Sequence, residues 1–388
     1  MKKIEININI VRIVCLIFVV TGIATAAEMN NNMNVYVGTY TKGTDSEGIY
    51  RFSFDLETGK AGEVKAAAEI QDPSFLAVHP NLKYLYAVSE TAFFKGKKTG
   101  SVSAFSVDKE SGNLTLLNQQ SSGGAGPCQL IVDSAGKNVL LANYTAGSFE
   151  VLPLLSDGSL GEPSCLLQQK DPAPGVELKT SHCHSINLDL AERYAIVADL
   201  GLDRVFFYRF DSGKGQLSPN EPASLFIEEK AGPRHFAWHP SGRFGYIINE
   251  LNSTITLLLW DGGKGTLSKS QTLSTIPLGF TGKNYCSEVQ VHPSGKFLYG
   301  SNRGHDSIAI FAIEAETGRL TALGQEATQG EYPRNFCIEP TGQFLLAANQ
   351  NSDNIVIFRI DKNTGLLKAT GQKVEVLSPV CIKFLPGR

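Results

Sequence analysis

The sequence predicts an all-β chain folded as one seven-bladed β-propeller of four-stranded antiparallel blades, and three observations predict it. One segment recurs along the 388 residues with its second position at 73, 127, 183, 233, 286, 333 and 379, a spacing of 46 to 56 residues that suits one blade. Each copy continues into a third apolar strand, a Gly-containing turn and a weaker fourth strand. The two chain ends hold fragments of the unit that complete each other.

The unit opens on a hairpin, seen in "DPSFLAVHPNLKYLYAVSE" (72–90), "GPCQLIVDSAGKNVLLANY" (126–144), "HCHSINLDLAERYAIVADL" (182–200), "GPRHFAWHPSGRFGYIINEL" (232–251), "YCSEVQVHPSGKFLYGSNR" (285–303) and "YPRNFCIEPTGQFLLAANQ" (332–350). Period-two alternation around a central turn marks both arms as strands. Two interior positions of the first arm stay apolar in every copy, from Leu76 and Val78 through Phe236 and Trp238 to Ile382 and Phe384, as core packing requires. Third strands follow as "IYRFSFD", "VSAFSVD", "FEVLPL", "RVFFYRFD", "ITLLLWD", "IAIFAIEA" and "IVIFRID", then turns such as "ETGK", "SDGSL" and "NTGLL".

"NVYVGTYT" (34–41) matches a second strand with no first strand before it, and Ser378 to Pro386 is a first strand with no second strand after it. The C-terminal strand is therefore expected to pair into the N-terminal blade, closing the ring and removing its open edges. One propeller domain over 34–388 follows, after a short tail at 27–33.

Thirty-five basic and 38 acidic side chains leave a net charge of −3 without a run of one sign, which gives no footprint for nucleic acid or an anionic membrane. Lys2 and Lys3, the apolar run "IVCLIFVVTGI" and "ATAA" read as a secretory signal peptide over 1–26. Cleavage would leave a periplasmic or secreted protein with no membrane span; an uncleaved anchor is the alternative, which Arg12 keeps open. Six cysteines then remain, most inside strand patterns, where a buried free thiol is favoured over a disulfide. The short protected edges of a closed ring suit a monomer.

In a propeller the first strand of each blade lines the channel, and its partner returns to the same rim. Where first strands start, the residues are Ser74, Cys128, His184, Arg234, Ser287, Arg334 and Val380; where second strands end, they are Tyr40, Glu90, Tyr144, Leu200, Glu250, Arg303 and Gln350. The rim thus diverges while the interior does not, and three adjacent blades bring His184, Arg234, Glu250 and Arg303 to one channel mouth. That set suits a small anionic molecule, with forked donors for phosphate or carboxylate and two groups able to move protons. An ion pair tying two strand ends together is the plain alternative for Arg234 and Glu250. Arg334, Glu90, Asn302 and Asp199 are further rim residues expected to contact substrate, although recurrent asparagines there also suit a loop role.

His79, His239 and His292, in "HP" turns at the opposite end, are expected to be structural. His182 and His184 share a strand face but lack a third ligand, so no metal is expected. No Walker loop, nucleophile elbow, C-x-x-C or zincin motif occurs, so neither a cofactor nor a Ser or Cys nucleophile is indicated.

"GPRH…HPSGRFGYIINELNSTI", "HSINLD…ADLGLDRVFFY" and "HPSGKFLYGSNRGHDSIAIF" closely resemble the seven-bladed β-propeller lactonase family, which includes bacterial 6-phosphogluconolactonases and carboxy-muconate cyclising enzymes. The likeness spans 33–386, and the family's active-site residues map onto His184, Arg234, Glu250 and Arg303. The resemblance implies hydrolysis of a sugar-acid lactone, most simply 6-phosphoglucono-δ-lactone. On chemical grounds Arg234 and Arg303 are expected to hold the substrate's anionic groups and the developing oxyanion, Glu250 or His184 to activate water, and Arg334 to help hold a phosphate. It leaves open the cyclising reaction and a binding propeller without catalysis. The family-typical compartment is the cytoplasm, at odds with the leader.

Overall fold

The computed structural model describes residues 32–170 and 179–386. Seven antiparallel sheets of four strands follow one another around a ring. Their inner strands are Pro379–Pro386, Leu76–Val78, Pro127–Val132, Cys183–Leu188, Pro233–Trp238, Tyr285–Val291 and Pro333–Ile338, belonging to blades 1 to 7 in that order. Blade 1 is completed by the first strand of the chain, Asn32–Thr39, which pairs with the last from Met33 against Pro386 to Thr39 against Pro379. The ring closes as expected, and β structure begins two residues before the expected boundary, at Asn32 instead of 34.

Burial explains why the second arm of each hairpin reads as continuously apolar. Asn138–Asn143, Tyr194–Asp199 and Phe344–Asn349 are buried at every residue, because both of their faces meet a neighbouring blade. Outer strands such as Thr266–Ser274 face water on one side and alternate. The core therefore lies between blades: Phe244, Tyr246 and Ile255 of blade 5 form one cluster with Val289, Leu298 and Phe311 of blade 6.

Two polar devices repeat at these seams. Tyrosines of the second strands donate across to a turn glycine carbonyl of the next blade, Tyr86 to Gly158 at 3.0 Å, Tyr246 to Gly318 at 2.8 Å and Tyr299 to Gly365 at 2.8 Å. His79, His239 and His292 do the same from the inner hairpin turns, with Nε2 3.1, 3.0 and 2.8 Å from the carbonyls of Gly136, Gly295 and Gly342. Their Nδ1 atoms accept backbone N–H groups, which fixes the tautomer and leaves these imidazoles structural.

Two details depart from the repeat. The inner strand of blade 2 starts only at Leu76, because Asp72 adopts φ +43° and its carbonyl takes the N–H of Ser74 in a tight turn. A single 3-10 turn, Gln350–Ser352, interrupts an otherwise all-β chain among the described residues.

Candidate active site

Six of the seven inner strands carry a β-bulge at the same place, and the bulged residues are the divergent ones. Pairing skips from Pro127 to Gln129, Cys183 to Ser185, Pro233 to His235, Cys286 to Val289, Pro333 to Asn335 and Pro379 to Cys381. Cys128, His184, Arg234, Ser287, Arg334 and Val380 therefore fall outside the ladder. A bulge bends its strand and re-aims a side chain, which releases these positions from the alternation that governs the rest of the strand.

Around Glu250 the charges converge. Its Oε2 lies 2.8 Å from Arg234 Nε and 2.8 Å from Arg303 Nη2, so one carboxylate oxygen serves guanidinium groups from two blades. The contact to Arg234 is close in distance but off the N–H direction, so it acts as a charge contact more than a hydrogen bond. Arg234 is 2% exposed and Arg303 4%, against 17% for Glu250. Backbone carbonyls supply the remaining anchors: Arg234 Nη1 donates to Ser287 O at 2.9 Å, Arg303 Nη2 to Cys286 O at 3.0 Å and Arg303 Nε to Tyr285 O at 3.3 Å. Nη1 of Arg303 and Nη2 of Arg234 are left without a protein partner among the described residues. Gly304, at φ +116°, ends the arm behind Arg303 and lets the Lys283 carbonyl approach where a side chain would stand.

A second group faces it across the mouth. Arg334 Nη2 is 3.9 Å from Glu90 Oε2, which also accepts the Tyr40 hydroxyl at 2.9 Å, and the guanidinium lies over the Tyr40 ring at 5.2 Å. Arg303 is likewise stacked on Tyr332, at 5.1 Å. These tyrosines, and Tyr144 beside His182 and His184, were not singled out by sequence reasoning. An aromatic where a second strand ends, as with Tyr40 and Tyr144, was the available signal, since a planar face is what a guanidinium stacks on.

Of the eight residues expected at the mouth, the structure brings six together: His184, Arg234, Glu250, Arg303, Arg334 and Glu90. The other two turn away. Asn302 is fully buried; its amide donates to Thr275 O and Ser307 Oγ, and its oxygen accepts from Thr275 Oγ1 and Asn284 Nδ2. Asp199 accepts from Ser181 Oγ and from the backbone N–H groups of His182 and Leu202. Neither has a polar atom left for a substrate, so the loop role is the one the geometry assigns them.

Burial and charge set the protonation states. Burial would raise the Glu250 carboxyl, but the Arg303, Arg234 and Arg334 charges outweigh it and hold it below the ordinary carboxylate range. Arg234 is pushed down to about 10 by burial and by repulsion from Arg303 and Arg334, and stays charged at neutral pH. His184, 4% exposed with Nδ1 3.7 Å from Cys128 Sγ, is held well below its ordinary value by burial and by the Arg234 charge. Its neighbour His235, at 5.2 Å between ring centroids, is lowered to about 4 for the same two reasons.

Both imidazoles are therefore neutral in the folded protein. As pH falls below about 6.5 the unfolded chain takes up a proton on each and the folded chain does not, so stability is full above that pH and declines below it. Two such groups give a loss of about 3 kcal/mol in all between pH 6.5 and 5. Urea midpoints across that range measure it, and His235→Phe is expected to halve the slope.

All six cysteines of the described residues are free, and no three His, Cys, Asp or Glu gather there as a metal site. No described helix is long and apolar enough to cross a membrane. The leader expected over 1–26 lies outside the described residues.

A propeller whose mouth gathers arginines around one carboxylate defines a class of small-anion site with proton-transfer capacity. The comparisons sharpen this: the model of the family "Lactonase, 7-bladed beta-propeller" matches residues 34–384, and the chain belongs to that family. It is 37% identical to the 6-phosphogluconolactonase of Bacillus subtilis over 350 residues, 90% of this chain and 97% of the relative. It is 35% identical to the 6-phosphogluconolactonase of Formosa agariphila over 310 residues, covering 78% and 86%. Among solved structures, the periplasmic gluconolactonase PpgL of Pseudomonas aeruginosa superposes with a TM-score of 0.83 at 32% identity, over 92% of this chain and all of that one.

Proposed function

We propose that the protein hydrolyses a sugar-acid lactone, most directly 6-phosphoglucono-δ-lactone, with water as the nucleophile. The observation that carries this reading is the clamp of Arg234 and Arg303 on Glu250 at the channel mouth. The family membership and the 6-phosphogluconolactonase relatives support the reaction type.

In the free protein both guanidinium groups hold Glu250 Oε2, which keeps the carboxylate ionised but weakens it as a base. A substrate anion entering the mouth competes for the arginine N–H groups. As they turn toward it, the carboxylate loses stabilisation and its basicity rises toward the value general-base catalysis needs. Glu250 then takes the proton of the attacking water, while the free Nη atoms of Arg303 and Arg234 meet the negative charge developing on the lactone carbonyl oxygen. The C–O bond of the ring breaks as the tetrahedral intermediate collapses, and protonated Glu250 returns the proton to the departing ring oxygen. His184, neutral throughout, orients the lactone by hydrogen bonding and adds no repulsion to the arginines.

A second reading of the substrate rests on the periplasmic gluconolactonase neighbour, whose name points to a lactone without phosphate. Arg334 separates the two. It sits across the mouth from the Glu250 clamp, partly neutralised by Glu90, and is the arginine best placed to hold a phosphate. Arg334→Ala is expected to raise KM for the phosphorylated lactone about tenfold or more, the value of one charge-assisted contact, while leaving unphosphorylated gluconolactone little changed. Equal effects on both substrates would refute phosphate selection; no acceleration of either lactone above spontaneous opening would refute the hydrolase reading. The leader read from the sequence and the same neighbour support a periplasmic location, which osmotic-shock fractionation tests; the monomer expected from the short protected edges of a closed ring is tested by sedimentation.

A further inference from the structure

Below the arginines the channel satisfies its own polar groups. Glu288 accepts hydrogen bonds from His235 Nδ1 at 3.2 Å and Asn335 Nδ2 at 2.6 Å, and Lys383, on the same lining, faces its charge. Open groups lie higher, on the rim, where charge is unevenly shared. Among the residues that start inner strands and end second strands, blades 5 to 7 supply Arg234, Glu250, Arg303 and Arg334, and blade 2 supplies Glu90. Blades 3 and 4 supply Cys128, Tyr144, His184 and Leu200, which carry no charge because His184 is neutral. The mouth therefore has an ionic wall and a neutral one.

Tyr144 is the polar group of the neutral wall. It follows the second strand of blade 3, with its own N–H on Gly126 O at 2.7 Å. Its ring is stacked on His182 at 4.6 Å between centroids and packs edge-on against His184 at 5.4 Å. His182 is fixed in turn, because its Nδ1 donates to the Tyr144 carbonyl at 3.0 Å. These contacts hold the ring and leave the hydroxyl free. It has no hydrogen-bond partner among the described residues, and the half-buried side chain does not enclose it. Tyr40, at the same position of blade 1, differs, since its hydroxyl donates to Glu90 at 2.9 Å. Burial raises the Tyr144 phenol above its ordinary range, with Glu250 and Cys128 adding to the shift and Arg234 and Arg334 opposing it. The hydroxyl is therefore protonated at neutral pH and lies within the field of both charged groups of the mouth.

A protonated phenol can donate one hydrogen bond and accept another, and the uncharged partner able to do both is an alcohol. Phosphate, carboxylate and the lactone carbonyl are drawn to the arginines of the ionic wall. What faces the neutral wall is then the part of the substrate that bears hydroxyls. An unsubstituted carbon chain there would cover the phenol without giving it a partner, a cost that a hydroxyl avoids. We propose that Tyr144 is a specificity-determining residue that reads a substrate hydroxyl, so that the mouth selects polyhydroxylated lactones and their acids over unsubstituted ones. The inference rests on the lactonase reading for the reaction, but the contact is to the hydroxylated chain, which the ring-opened acid retains.

The test compares D-gluconate with hexanoate, the same acid without its hydroxyls, by calorimetric titration of the full chain and of Tyr144→Phe. The unaltered protein is expected to bind gluconate more tightly than hexanoate. Tyr144→Phe keeps the ring between His182 and His184, and is expected to weaken gluconate about fivefold, the loss of one neutral hydrogen bond, while leaving hexanoate unchanged. On D-glucono-δ-lactone the same variant should raise KM by a similar factor with kcat little moved, since substrate and transition state share the contact. If Tyr144→Phe lacks native circular dichroism, Tyr144→Met takes its place. A folded variant that binds gluconate as tightly as the unaltered protein overturns the proposal. Equal weakening of both acids, the mark of a packing role, overturns it too, as does an unaltered protein that binds gluconate no more tightly than hexanoate. The hydrolase reading fails separately: a protein that opens no lactone, yet loses gluconate affinity in Tyr144→Phe, leaves this contact standing, and one that opens lactones with an insensitive Tyr144 does the reverse.

Discussion

Glu250→Gln is expected to lower kcat on 6-phosphoglucono-δ-lactone by about 10²–10⁴-fold, the range general-base catalysis supplies, and also to destabilise the fold. The substitution is nearly isosteric, so the catalytic loss comes from basicity and not from shape. The structural loss comes from charge. The mouth gathers Arg234, Arg303 and Arg334 against Glu250 and Glu90, three positive charges and two negative ones. Removing Glu250 leaves three against one, with Arg234 and Arg303 almost fully buried and no carboxylate between them. Severing a buried pair in this way costs about 3–5 kcal/mol. Inorganic phosphate, which can take the vacated place, is expected to raise the melting temperature of Glu250→Gln more than that of the unaltered protein. Initial rates corrected for spontaneous hydrolysis, with thermal melts in phosphate and in a non-coordinating buffer, check both halves. A Glu250→Gln protein with full activity would show that Glu250 is a structural counter-ion only.

The fold was legible because it is built from repetition. Interior positions such as Leu130, Ile186, Phe236 and Val289 meet the same inter-blade environment seven times, so the same residue type recurs and the period shows itself. Ring closure could be read from the fragments at the two ends, since an unpaired second strand and an unpaired first strand are worth little apart. The site was legible for the opposite reason: Arg234, Glu250 and Arg303 break the pattern that packing enforces around them. What remained hidden was direction. Asn302 stands next to Arg303 in the chain, yet the strand's alternation points it into the blade, where Thr275 and Asn284 consume its amide. Asp199 is drawn inward in the same way by Ser181 and the backbone around it. Glu288 and Lys383 escaped notice because each lies inside an apolar strand pattern, and only closure of the ring turns that face into a channel.

Arg234→Met is the complementary experiment, and the balance of charges predicts a different signature. Arg234 is as buried as any arginine here, which by itself suggests a large folding penalty. Three facts reduce it. Glu250 keeps Arg303 at 2.8 Å, so no buried carboxylate is left unpaired. The contact from Arg234 Nε is off the donor direction, so no strong hydrogen bond is lost there. Repulsion from Arg303 and Arg334, which already lowers the Arg234 pKa, is relieved when the charge goes, leaving two positive charges against two negative. Against these stands the Ser287 carbonyl, which loses its guanidinium donor. The net cost to stability is expected at about 1–2 kcal/mol, well below that of Glu250→Gln. In the mechanism proposed above catalysis has no such compensation, because there Arg234 is one of two donors to the oxyanion, and loss of one such donor lowers kcat by about 10²–10³-fold. With one arginine gone from its flank, Glu250 also becomes a stronger base, so the acid limb of the residual pH–rate profile should move up. Urea midpoints for both variants and the pH profile of Arg234→Met decide it; equal destabilisation in the two, with an unmoved acid limb, would mean that Arg234 acts as packing and not as the partner that tunes Glu250.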